Sequence, residues 1–285
     1  MIDTVVIPAA GLGGRLIPVT KEIPKIMLPI FQKNPDNTYL IKPLLEILFE
    51  NLYDVGIRNY CIIVGRGKET IENHLTPHYE FLDFLKKNGN NQYIKILNNL
   101  YRKIEKSSII WKRQHKQLGI GHTVLLAKDV VGDKPFLFHL GDLYLPSKSF
   151  YKKLFDAYEK YSPQGIIGLK KIDNPKQYGI AYGNKISKNV YAVSKVIEKP
   201  KISTSNLGLS GINIFDHDIY NAAKKTKQSK KGEIELTDCV QTMMKMNYKI
   251  LGFKHNSKEI CIDMGTPTNY FKALKYSYNT LSKKY

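Results

Sequence analysis

Arg15 and Lys25 lie on the run VVIPAAGLGGRLIPVTKEIPKIMLP, Val5 to Pro29, whose composition suits the gripping of a polyphosphate. The arginine offers a planar fork of donors and the lysine a compact ammonium, so the two can converge on one anion. Ala9, Ala10, Gly11, Gly13 and Gly14 remove side chains where a ligand needs close backbone approach. Pro18, Pro24 and Pro29 forbid a regular helix and stiffen the segment that carries both cations. Far along the chain, Asp142 and Asp263 each follow an apolar strand-like run, PFLFHL and EICI. Two carboxylates brought together without a lysine between them repel, and a hard divalent cation, with magnesium expected, relieves this while bridging phosphate oxygens. The combination reads as a nucleoside triphosphate site.

Those residues need a scaffold that delivers them to one place. Thr4 to Pro8 is a short β-branched run, as expected of a buried parallel strand. Pro43 with Leu44, Leu45, Ile47, Leu48 and Leu52 predicts a helix stopped by Gly56, Asn59 to Val64 a second strand, and Lys68 to Leu75 a second helix. Thr76 to Lys106 reads as an edge elaboration, with a helix over Tyr79 to Lys87 and then an asparagine-rich turn. Strands are expected at Ile109 to Trp111 and Pro135 to Leu140, with a helix beginning near His122 between them. The later half reads as strands at Gln164 to Leu169, Gly179 to Tyr182, Val190 to Glu198 and Leu207 to Phe215, with no helix between each. A last strand at Glu259 to Ile262 precedes Asp263, and Thr266 and Pro267 start a terminal helix reaching about Leu281. The alternation predicts an α/β fold, a Rossmann-like doubly wound mixed sheet, with ligands at the carboxyl ends of its strands. No repeat or linker divides the chain, so 1–285 is expected to be a single domain, with a nucleotide-binding half at 1–145 and a second-substrate half at 146–285.

Composition narrows the function classes. The 285 residues carry a formal net charge of +19, but the lysines are scattered and no nucleic-acid module is recognisable, so the field is expected to attract anionic small substrates rather than DNA or RNA. No apolar stretch approaches a membrane span, and the first apolar run lacks the basic flank of a signal peptide; a cytoplasmic protein is expected. Cys61, Cys239 and Cys261 lack C-x-x-C spacing and read as reduced thiols. The glycine loop fits neither common phosphate motif. Leu16 stands where the dinucleotide fingerprint needs glycine, and no G-x-x-x-x-G-K-[ST] string occurs.

The full run G-x-G-x-R, P-x-T and P-K-x-M-L-P resembles the signature loop of the sugar-nucleotide pyrophosphorylases, nucleotidylyltransferases that condense a nucleoside triphosphate with a sugar 1-phosphate. Landmarks similar to those of the bacterial-type UTP-glucose-1-phosphate uridylyltransferases follow in order over nearly the whole chain. RQHKQLGIGHTV, Arg113 to Val124, resembles the base-reading segment, which implies that Gln114 pairs with the pyrimidine edge and that Gly119 lets the base approach the backbone. FHLGD and IDMGTP resemble the segments that bring metal ligands, here Asp142 and Asp263. YGIAYG implies a sugar loop with Gly179 against the hexose, and VIEKPK implies Glu198 on sugar hydroxyls and Lys199 on the sugar phosphate. GEIELTD, Gly232 to Asp238, reads as helix initiation and packing. The implied fold is of the nucleotide-diphospho-sugar transferase type.

The reaction so implied joins UTP and glucose 1-phosphate into UDP-glucose and pyrophosphate, with Mg2+ as cofactor. Arg15, Lys25 and Lys199 are expected to carry its catalysis, with no membrane or nucleic acid taking part. Related enzymes commonly form homodimers or homotetramers. One departure stands out. The family usually has a second acidic residue directly after the first metal aspartate, and this chain has Leu143, which opens the identity of the hexose. Competing readings are the same chemistry with dTTP or another hexose phosphate, and a non-catalytic sugar-nucleotide sensor.

Overall fold

The computed structural model describes residues 2–34 and 38–282. In chain order the elements are β1 (Thr4–Ala9), β2 (Pro29–Lys33), β3 (Tyr39–Pro43), α1 (Leu44–Asp54), β4 (Asn59–Val64), α2 (Glu69–His74), α3 (Tyr79–Lys87), α4 (Asn91–Glu105), β5 (Ser108–Arg113), α5 (Ile120–Val131) and β6 (Phe136–His139). There follow β7 (Leu143–Tyr144), α6 (Ser149–Tyr161), β8 (Gly165–Lys171), β9 (Gly179–Lys185), β10 (Val190–Glu198), β11 (Leu207–Phe215), α7 (Asp218–Lys225), α8 (Leu236–Lys245), β12 (Ile250–Lys254), β13 (Ile262–Asp263) and α9 (Pro267–Ser282).

Nine strands form one sheet in the order β5-β4-β1-β6-β11-β8-β12-β10-β9. β5, β4, β1 and β6 run parallel, and β11 enters antiparallel between β6 and β8. The sheet is therefore mixed. Both faces are covered, which explains why β1 and β6 are apolar without alternation. Val5 and Ile7 pack toward α1 and α6, whereas Val6 packs toward α5, α7 and α8, as the two-residue period of a strand requires. The hairpin β2–β3 leans on α9 through Leu28, Ile30, Met264 and Ala273.

Several elements depart from the sequence expectation. The asparagine-rich turn is short and gives way to α4, whose Leu100, Tyr101 and Ile104 make a narrow buried stripe on a mostly polar helix. α6 and α7 were likewise not expected, nor was β12. Ile250–Lys254 is a strand because it pairs with β8 on one side and β10 on the other, and neither neighbour is visible locally. The strand expected at Glu259 to Ile262 shrinks to Ile262–Asp263. Glu259 instead folds back, accepting from the Asn256 N–H and from Lys153 and Ser149, so its backbone does not extend. All three cysteines are unpaired, and burial raises the thiols of Cys61 and Cys239 to about 12.

Candidate active site

The site is built at the carboxyl ends of β1 and β6. After β1 the chain turns through Gly13, whose φ of 70° is left-handed and whose added β-carbon would lie 2.8 Å from Cβ of Thr20. Gly13 therefore shapes the loop and does not line the crevice. Gly11 does, with nothing within 4 Å of where a β-carbon would stand. Ala9 also lines the crevice, while Ala10 is buried beneath it and its carbonyl accepts from Gln117 Nε2 at 3.0 Å.

The two aspartates meet through the smallest sheet of the fold. β13 pairs antiparallel with β7, setting Asp263 opposite Leu143, and the Met264 N–H donates to the Asp142 carbonyl at 2.9 Å. A β-carbon on Gly265 would lie 2.8 Å from Asp263 Oδ1, 2.9 Å from Arg15 Nη2 and 3.5 Å from Asp142 Oδ2. Two acids and the arginine thus surround one point that only glycine leaves open. Burial first, and then the like charge of Asp142, push the Asp263 carboxyl above its ordinary range, against the pull of the Gly265 N–H, Lys170 and Lys25. Adjacent carboxylate oxygens with unfavourable mutual charge are a donor set suited to a hard divalent cation. The sequence reading placed no lysine between the acids. The structure differs here: Lys25 Nζ donates to Asp142 Oδ2 at 2.6 Å.

The opposite wall comes from β9 and β10. Their register sets Glu198 beside Gly179, where a β-carbon would strike Thr237 Oγ1 at 2.5 Å. Thr237 donates to Glu198 Oε2 at 2.6 Å, and Lys199 Nζ pairs with Glu198 Oε1 at 2.6 Å. Burial pulls the Lys199 ammonium down, but the hydrogen bond and charge of Glu198 outweigh it and leave the group raised. Lys199 itself adopts a left-handed φ of 41°. One crevice of about 410 Å³ is lined by Ala9, Gly11, Arg15, Lys25, Asp142, Gly179, Glu198, Lys199 and Asp263.

Gln114 and Gly119 lie outside that lining. Gln114 is buried, its amide donating to the Gly119 carbonyl at 3.3 Å and meeting His122 Nδ1 at 3.2 Å. Gly119, at φ 90°, packs against Ile234, whose carbonyl oxygen would be 2.6 Å from an added β-carbon. Residues the sequence reading passed over also face the crevice: Lys170, Tyr178, Glu235 and Thr237. Lys170 was hidden in LKK, which reads as a solvated strand end, and Glu235 and Thr237 in a helix start.

A family model described as nucleotidyl transferase matches residues 4–279. The chain belongs to the nucleotidyl transferase family. Among relatives of this nucleotidyl transferase is the UTP–glucose-1-phosphate uridylyltransferase of Pseudomonas aeruginosa, 29% identical over 290 residues, 99% of this chain and 98% of the relative. The UTP–glucose-1-phosphate uridylyltransferase 2 of Staphylococcus saprophyticus is 33% identical over 247 residues, 85% of this chain and 81% of its own. A UDP-glucose pyrophosphorylase solved with UDP-glucose superposes with a TM-score of 0.82 at 29% identity, covering 98% of this chain and all of the other. UTP-bound UGPase from Acinetobacter baumannii gives 0.84 at 26% identity, over 100% of this chain and 95% of that one.

Proposed function

We propose that this nucleotidyl transferase moves the uridylyl group of UTP to glucose 1-phosphate, giving UDP-glucose and pyrophosphate. The observation that carries the reading is the meeting of Arg15, Asp142 and Asp263 around Gly265, in the crevice that Gly179, Glu198 and Lys199 close from the other side. An oxygen of the sugar phosphate attacks the α-phosphorus of UTP, forming one P–O bond as the bond to the β-phosphate breaks in line. A phosphate monoester already carries about two negative charges near neutral pH, so no side chain is needed to deprotonate it. Catalysis then consists of alignment and charge neutralisation.

Each residue has a role on that view. Arg15 takes the charge that develops on the departing pyrophosphate. Lys25, held on Asp142, offers its remaining N–H donors to the same phosphates. Lys199 holds the sugar phosphate and Glu198, kept in place by Thr237, the sugar hydroxyls. Gln114 reads the uracil edge and Gly119 shapes the turn beside it. Asp142 and Asp263 would hold magnesium, which supplies charge neutralisation at the phosphate oxygens when bound. The test is a panel of UTP, dTTP, ATP and GTP against several hexose 1-phosphates, followed by pyrophosphate release and product mass. UTP with glucose 1-phosphate is expected to turn over fastest, and no turnover with that pair would remove the assignment.

A further inference from the structure

The crevice holds more cations than the reading above employs, and they differ in what already neutralises them. Lys25 is paired with Asp142 and Lys199 with Glu198, each at 2.6 Å. Each pairing partly neutralises its lysine, and Asp263 and Glu235 add negative charge to the walls that also carry Arg15. A cation not already paired would strengthen the hold on a dianion entering there.

Lys170 is that cation. It stands one residue before the end of β8, half-buried, and lines the crevice. No carboxylate among the described residues lies within ion-pairing distance of it. Its ammonium rests 4.5 Å from the ring centroid of Tyr178, a contact that orders a lysine without neutralising it. The Tyr178 carbonyl in turn accepts the Lys199 N–H at 3.2 Å, so one tyrosine lies against both lysines and directly precedes Gly179. Asp263 lines the same crevice. The ammonium therefore lies against the residue that precedes Gly179, in the crevice that Asp263 also lines.

We propose that Lys170 is a second binding lysine for the phosphate of the hexose 1-phosphate, completing the grip of Lys199. This rests on the uridylyl-transfer reading, in which that phosphate must reach the α-phosphorus beside Asp142 and Asp263 while its hexose lies on Gly179 and Glu198. The pyrophosphate end of the triphosphate belongs to Arg15 and Lys25, so Lys170 acts on one substrate and not the other.

The experiment compares the full-length protein with Lys170→Met, which keeps the stem over Tyr178, and with Lys170→Arg. In Lys170→Met the KM for glucose 1-phosphate is expected to rise roughly ten- to a hundredfold, the loss of one charge-assisted phosphate contact. The KM for UTP, and in the reverse direction for pyrophosphate, should stay within about twofold. Lys170→Arg should recover most of the loss. A purely structural lysine would lower the melting temperature and move no single KM. An unchanged KM for glucose 1-phosphate, or equal rises for UTP and pyrophosphate, would overturn the proposal. Turnover by the unmodified protein tests the uridylyl-transfer reading separately. If it is absent, calorimetric binding of glucose 1-phosphate to both proteins supplies the same ratio, and lack of binding to the unmodified protein rejects Lys170 as well. Should Lys170→Met fail to fold, Lys170→Gln replaces it in each comparison.

Discussion

At the scale of single residues, the acids are the sharpest test of the site, because Asp142 and Asp263 share a point with Arg15 that a glycine keeps open. Asp142→Asn and Asp263→Asn keep size and one acceptor oxygen but remove a charge each. Pyrophosphate release in magnesium is expected to fall roughly a hundred- to a thousandfold for either. Unchanged turnover would show that the pair does not serve the chemistry. Both aspartates were legible in the sequence because each ends an apolar run, as were Arg15 and Lys25 in the proline-stiffened loop. Lys170 was not, because a lysine at a strand end reads as solvated until the fold lays Tyr178 beneath it. The contact of Lys25 with Asp142 was also invisible, since the two residues approach only once β1 and β6 are neighbours.

At the scale of elements, the glycines separate into two kinds. Gly119 opens α5 with its backbone pressed on the segment before α8: Ile234 N–H donates to the Leu118 carbonyl at 2.8 Å and Gly121 N–H to the Ile234 carbonyl at 2.7 Å. Gly119→Ala puts a β-carbon 2.6 Å from the Ile234 carbonyl at a positive φ, and should cost on the order of 1–3 kcal/mol in denaturant titrations. Gly11→Ala meets no protein atom, so its stability should be unchanged while the KM for UTP rises several-fold, through a methyl facing the crevice. Equal stability losses for both would remove this distinction. Elements with strong local patterns, such as β1, β4, β10, β11 and α1, were readable along the chain. α4 and β12 were not: the first shows a thin apolar stripe among polar residues, and the second is a strand only by virtue of its two neighbours.

At the scale of the whole molecule, acid sensitivity follows from two histidines sealed in the core. His139 is held neutral between the Leu140 carbonyl and the Tyr151 hydroxyl, and His255 stacks on Phe150 with ring centroids 3.6 Å apart and no hydrogen-bond partner. Burial lowers both to about 4. The unfolded chain takes up protons at about 6.5 whereas the folded one resists until about 4, so the stability they contribute is complete above about pH 6.5 and is lost as pH falls toward 4. Each histidine accounts for up to about 3 kcal/mol of that loss. Melting temperatures from pH 7.5 to 5 should fall, and His255→Gln should flatten the slope; a profile unaltered by the substitution would show that His255 does not drive it. The molecule also carries its +19 charge with no helix among the described residues long and apolar enough to cross a membrane.

The sequence alone determined the class of fold, the proline-stiffened loop that carries Arg15 and Lys25, and the two aspartates at strand ends, while Gly179 and Glu198 came from the family resemblance. The fold, the loop and the acids depend on short-range rules: β-branched runs bury, proline stiffens, glycine opens space, and an acid at a strand end stands where ligands settle. Only the tertiary structure decided the partners. Whether Lys25 lies on Asp142, Lys170 on Tyr178, or Gly119 against Ile234 depends on strand order and on a two-residue ribbon joining β7 to β13, interactions between segments far apart in the chain. Charge and packing act through space, and the distances that set their strength exist only after the sheet has formed.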